Sequence, residues 1–432
     1  MEDHPGKPFP HYGEEMAARR RRRRIHRIFG VVLLLFVTVP VGGWVATDQY
    51  ASHRLKKTLK QIRKAGYAVE LKSMAPAAVE STDNAAPLYE AAFASISDLV
   101  PSLGSFTWAE CGHTEDDERE IMGLVGRCGT ALDLARMARA KPYCRFDRDY
   151  SGKREEERPD FQRSIALATA LSHRAMDQAA GGRPAEARET IRDLWALARA
   201  FQEEPRDWSQ TITRLLWQMA LEATAGCSRH SETESEWRAW QGELPDPSRL
   251  RASIQRAFRG ELAFWAGDAR RGHPLTLQRL FPNEPRRLMR LLRPVMTLGA
   301  EKGLARFQKT ISRLEGAELT PDILEQYDPV GYLGYGRFSM IDVVARPRMW
   351  LRNHLTVEAE FAVVRAGMEC ERHRAAEGAY PDVIAERDPM TGAALKYSED
   401  RLSLFSDHPD GRANLWYYEE EGLTWKLLRP AD

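Results

Sequence analysis

No two of the five cysteines (Cys111, Cys128, Cys144, Cys227 and Cys370) are spaced C-x-x-C, which excludes a zinc ribbon or a thioredoxin-like redox centre. There is no H-E-x-x-H, G-x-S-x-G, S-x-x-K or Walker A motif, so the usual signatures of zinc hydrolases, serine hydrolases and P-loop enzymes are missing. A charge surplus is missing too. Residues 1–47 carry eight basic and four acidic side chains, a net of +4, and the remaining 55 basic and 58 acidic residues leave −3. A near-neutral bulk argues against nucleic acid as a partner. The most informative gap is local: no Asp, Glu, Lys or Arg occurs between Arg27 and Asp48.

That gap follows an unbroken arginine block, Arg19–Arg24. Residues 28–47 supply roughly 20 positions at about 1.5 Å each, enough to cross a hydrocarbon core of about 30 Å. Pro40, Gly42 and Gly43 are tolerated in membrane helices, and Trp44 and Tyr50 suit the far interface. The dense arginines predict a cytoplasmic N-terminus, although Arg54, Lys56, Lys57, Lys60, Arg63 and Lys64 lie on the other side. A cleaved signal peptide is the alternative, with Trp44 a poor fit to a small-residue cleavage site after Ala46. The expectation is a single-pass bacterial inner-membrane protein whose bulk is extracytoplasmic (periplasmic), with membrane lipid contacted through residues 28–47.

Five segments are expected: a basic cytoplasmic tail (1–27, disordered over 1–18), the transmembrane helix (28–47), a juxtamembrane linker (48–80), a helical domain (81–345) and a C-terminal module (346–432). In the linker, Leu55, Leu59 and Ile62 share a helical face beside several lysines. They would form either a lipid-surface helix or a solvated continuation of the anchor. Asn84 is placed to cap a helix ending before Pro101, and Thr114 with Asp117 to open a helix over about 115–139.

The clearest local pattern lies between Asp160 and Glu204. Ile165, Ala168, Leu171, Ala175 and Ala179 form one apolar stripe, and Ala187, Ile191, Leu194, Ala198 and Phe201 a second. Gly181-Gly182 can end the first helix and Pro184 open the next. The resulting antiparallel hairpin resembles a tetratricopeptide hairpin at its turn. No further copies occur, and a solenoid needs about three. More helices are expected at about 207–226, 231–242, 248–267 and 284–314, with Trp208, Trp217, Trp237, Trp240 and Trp265 as core residues. A long helix from Pro347 to Glu377 would stop at Gly378. Short strand-like runs at 394–397, 402–405, 415–418 and 424–428 would then form a small antiparallel meander. Phe361, Val364 and Met368 are the stripe expected to face that sheet.

Two resemblances arise here. The elements Gly378-Ala379-Tyr380-Pro381, Asp388-Pro389-Met390-Thr391-Gly392 and Ser406-Asp407-His408-Pro409-Asp410-Gly411 are similar to the C-terminal part of type II secretion major pseudopilins. The match covers roughly residues 360–412 and implies a shared module, because no prepilin cleavage site is visible. With Asn84–Tyr89 and the Gly-x-x-x-Ala hairpin turn added, the chain resembles a group of uncharacterised membrane-anchored proteins of planctomycete-type bacteria. That group brings no activity with it.

Candidate chemistry is sparse. Asp147, Asp149, Ser151 and Gly152 copy the start of an EF-hand loop, but its twelfth position is Arg158 where a bidentate glutamate is needed. The calcium candidates are Asp407, Asp410 and Asn414, in the loop corresponding to one that binds calcium in some major pseudopilins. A plain Pro-Asp-Gly turn explains the same residues. His354 with Glu358, and Glu369 with His373, share a helical face at i, i+4 and could seat a metal or simply pair on a charged surface. Asp328–Phe338 has glycines but neither the strand nor the lysine of a phosphate loop. In an oxidising compartment a disulfide would join two of Cys111, Cys128 and Cys144. No catalytic residue and no cofactor other than calcium is assigned. The fold class is mainly α, ending in a small β-meander. The leading function is a non-enzymatic interaction or scaffold module with an unidentified protein partner in the bacterial envelope. The alternative is an envelope hydrolase with a scattered site.

Overall fold

The first helix, α1, runs from Tyr12 to Lys64 without a break, 53 residues. The arginine block therefore continues a helix, and the tail expected to be disordered is helical from Tyr12. Among the described residues, this is the one helix long and apolar enough to cross a membrane. Its aliphatic positions and phenylalanines from Ile28 to Val45 are exposed, Phe36 at 77%, with Trp44 half-buried. The computed structural model describes residues 12–104, 115–151, 160–272, 286–316, 347–389, 392–397, 403–405 and 424–426.

Beyond the apolar stretch, α1 enters the protein core. Ala51, Leu55, Leu59 and Ile62 are buried. Neither expectation for this face holds, because a protein helix covers it, not lipid or water. That helix is α11 (Arg286–Gly316). Its contacts advance in step with α1. Arg293 pairs with Asp48 at 3.7 Å, Glu301 meets Arg54 at 3.2 Å and Thr58 at 3.1 Å, and Glu315 accepts from Tyr67 at 2.8 Å. The two helices are thus parallel, and residues 48–64 are an integral part of the fold and not a linker.

Further helices are α2 (Ala86–Ser95), α3 (Val100–Gly104), α4 (Glu115–Arg127), α5 (Gly129–Arg139), α6 (Asp160–Ala180), α7 (Pro184–Ala200), α8 (Asp207–Ser228), α9 (Glu234–Gln241), α10 (Ser248–Arg270) and α12 (Pro347–Glu377). Two expected boundaries shift. The helix after Asn84 ends at Ser95, where Ser95 and Ser97 hydroxyls donate to the Ala92 and Phe93 carbonyls. Pro101 then falls in the first turn of α3, where a missing N–H costs little. The helix expected over 115–139 is interrupted at Cys128, whose φ of −83° and ψ of 6° leave the helical region.

One core is built from α2–α9 and α12. Leu171 and Leu194, on the two stripes read from the sequence, are both buried there. Trp195 and Trp217 meet edge to face at 5.4 Å between ring centroids, and Phe361 of α12 packs on both, at 5.8 and 5.4 Å. Phe361 therefore packs on the tryptophans, α12 as a whole also contacts the C-terminal strands, and no packing boundary separates residues 347–377 from the helical domain. The second core joins the end of α1 to α10 and α11, with Phe258 and Phe307 edge to face at 5.9 Å. Leu355 and Ala359 of α12 also belong to it.

After Gly378 (φ 79°), three strands of two or three residues pair antiparallel: β1 (Lys396–Tyr397), β2 (Ser403–Phe405) and β3 (Thr424–Lys426). Tyr397 ties β1 to the preceding segment, its hydroxyl donating to the Pro381 carbonyl at 2.8 Å and lying 3.3 Å from Cys370 Sγ on α12.

Candidate functional site

A cavity of about 1010 Å³ opens between the ends of α5 and α7, the first half of α10, the segment before α2 and the 141–145 loop. Asn84 holds that loop in place. Its side-chain oxygen accepts from the backbone N–H groups of Ala86 at 3.1 Å and Arg145 at 2.8 Å, and its amide donates to the Arg145 carbonyl at 2.9 Å. The residue expected to cap α2 thus lies one position before the actual N-cap, Ala85, and clamps the cavity wall.

The lining is basic: Arg139, Lys141, Arg145, Arg199, Arg249 and Arg256, against Glu80, Asp83 and Glu203. Helix ends explain part of this, because Arg139 and Arg199 lie in last turns, where the partial negative charge favours cations. Three of the bases are engaged in the fold. Arg139 pairs with Glu189 at 2.7 Å and with buried Asp193 at 3.2 Å. Arg256 pairs with Glu203 at 2.8 Å and donates to the Gln202 carbonyl at 3.0 Å. Lys141 donates to the Thr82 carbonyl at 2.7 Å.

Arg199 differs. Half-buried, it forms no hydrogen bond or ion pair with any described residue, and burial, then Arg249 and Arg139, hold it below the ordinary guanidinium range. Arg249 lies in the first turn of α10, the end that disfavours a cation. The carboxylate nearest it in sequence, Asp246, accepts from Ser248 N at 2.9 Å and Ser248 Oγ at 2.6 Å, and these bonds, with the charges of Arg249 and Arg365, hold it below the ordinary carboxylate range. Cys144 also lines the cavity, but burial pushes its thiol well up, leaving it protonated and a poor nucleophile. Asp193, behind Arg139, is pushed up to about 6, burial outweighing Arg139 and Arg136.

The sequence-derived candidates lie elsewhere. Asp407, Asp410, Asn414 and the 328–338 loop are outside the described residues, as are Cys111, Thr114, Gly152 and Gly411. Asp149 closes a turn on itself, accepting from Ser151 N at 2.7 Å and Ser151 Oγ at 2.9 Å. Glu358 pairs with Arg251 at 3.3 Å, and Glu369 with Arg372 and Gln241. His373 contacts Glu377 at 3.4 Å and the Ala379 carbonyl at 2.8 Å. The acidic member of each i, i+4 pair is therefore already taken up by bonds within the fold. Cys128, Cys144, Cys227 and Cys370 are free thiols.

The arginine cavity itself was not foreseen. Arg139, Arg199 and Arg249 are separated by 60 and 50 residues, and no local spacing marks them. No protein-family model, no curated protein and no solved structure matches this chain.

Proposed function

We propose that this chain is a single-pass protein of the bacterial inner membrane, its N-terminus cytoplasmic, whose extracytoplasmic helical domain is a non-enzymatic interaction module. The carrying observation is α1. Its apolar stretch is uncovered by protein, follows an arginine block and continues without a break into the packed domain. A helix anchored at one end in lipid and at the other in a core would hold the domain at a defined height and orientation, as a scaffold requires. The cavity favours binding over hydrolysis, since its lining gathers guanidinium groups and holds no histidine. The tetratricopeptide-like hairpin and a pseudopilin-like β-meander at the C-terminus belong to this reading, as protein-binding elements.

Alkaline phosphatase, active only outside the cytoplasm, fused after Asp432 tests the topology. Activity there, with a silent cytoplasmic reporter at the same point, is expected, and the reverse pattern overturns the proposal. Crosslinking in native membranes then identifies the protein partner.

A further inference from the structure

We propose that the cavity between α5, α7 and α10 is a binding site for a multiply charged oxyanion, phosphoryl or dicarboxylate, held by Arg199, Arg249 and Arg145 and carried on a small apolar body. The inference does not depend on the membrane topology.

The unbalanced charge is specific. Arg139 and Arg256 face the same space but are neutralised by Asp193, Glu189 and Glu203. Arg199 and the Arg145 side chain have no such partner among the described residues, whereas Arg249 interacts with the exposed Asp246 carboxylate; Arg199 is half-buried, and the charges of Arg249 and Arg139 disfavour its protonated form. Burying like charges together opposes folding, and such arrangements concentrate where a ligand of opposite charge completes them. The residue type narrows the ligand. A guanidinium fork matches the paired oxygens of a carboxylate or phosphoryl group, and several forks in one concavity select more than one negative charge.

The remaining walls are apolar. Ala85, Ala138, Ala196, Ala200 and Ala252 line the space, and the exposed ring of Tyr143 stands at its edge. The volume is that of a small-molecule site. A soluble phosphorylated compound and a lipid headgroup would present the same chemistry, so the test separates them.

The full chain in nonionic detergent is titrated by calorimetry and thermal melting with inorganic pyrophosphate, citrate and glycerol 3-phosphate, at an ionic strength fixed with chloride. Saturable binding of at least one anion, and a melting temperature that rises with it, is expected. Preference for glycerol 3-phosphate assigns the site to a headgroup, and preference for either of the others to a soluble ligand. Arg199→Gln should weaken that affinity at least tenfold while raising the melting temperature of the ligand-free protein, because a like charge has been removed. Arg256→Gln, at an arginine already neutralised, should change affinity less than threefold. If Arg199→Gln does not fold, Arg249→Gln at the exposed position supplies the same comparison. No response beyond chloride, equal losses in the Arg199 and Arg256 variants, or a lower ligand-free melting temperature for Arg199→Gln would each overturn the proposal.

Discussion

Gly260 lies in the middle of α10, where replacing glycine by alanine ordinarily stabilises a helix by about 1 kcal/mol. Here the sign should reverse. A Cβ at Gly260 would stand 1.7 Å from the Pro205 carbonyl oxygen and 2.6 Å from its carbon. These are backbone atoms, so the chain before α8 would have to retreat by roughly 1.5 to 2 Å to reach ordinary contact. The next residue is Arg206, whose guanidinium pairs with buried Glu261 at 3.2 Å and lies 4.0 Å from the Phe264 ring. Overpacking alone costs about 1–3 kcal/mol. Parting the buried ion pair adds about 3–5 kcal/mol. Against the helix gain of about 1 kcal/mol, Gly260→Ala should lose about 3–7 kcal/mol. Gly123 of α4 is the control, being exposed with nothing within 4 Å of its Cβ position, so Gly123→Ala should gain about 1 kcal/mol. Urea unfolding followed by the fluorescence of buried Trp195, Trp217, Trp237 and Trp240 reads both. A Gly260→Ala midpoint equal to or above that of Gly123→Ala would refute the close approach.

Leu194→Asp should cost several kcal/mol, because a fully buried position would receive a charge with no partner; a folded variant melting within a degree or two of wild type would remove the hairpin stripe from the core. Asp193 supplies a pH test. Its carboxyl is pushed up to about 6 from 3.8, so between these values the folded protein holds a proton that the unfolded chain has released. Its contribution to stability is therefore greatest below about pH 4, falls as pH rises towards about 6 and is constant above. The stability difference between wild type and Asp193→Asn should fall over that window, whereas a difference that rises with pH would mean the arginines outweigh burial.

Much of the helical layout was legible in the sequence because its signals are local. The hairpin stripes repeat at helical spacing, Gly181-Gly182 and Pro184 mark the turn, and observed helices end within a few residues of those at Gly182, Pro184 and Gly378. The five tryptophans were legible as core for a similar reason: large apolar rings recurring on helices have few other places to go, and all five are buried. Boundaries failed where local bonding intervened, as at Ser95 and Cys128.

What each apolar face packs against was not local. Leu55, Leu59 and Ile62 show a stripe, but a stripe is satisfied equally by lipid or by protein, and only α11, more than 200 residues later, decides for protein. Phe361 likewise carries no mark that its partners are Trp195 and Trp217, not a sheet. The arginine cavity depends most on tertiary structure. In sequence, Arg145, Arg199 and Arg249 are three of many ordinary basic residues, and each could be solvated and paired. Only the tertiary packing brings two helix ends and the 141–145 loop together so that these side chains line one cavity. The sequence by itself determined where helices form and where the chain can meet a membrane, because helical periodicity and a charge-free run act over a few turns. The packing of the end of α1 against α11, and the convergence of several arginines on one cavity, arise between residues far apart in the chain, and only the folded structure decided them.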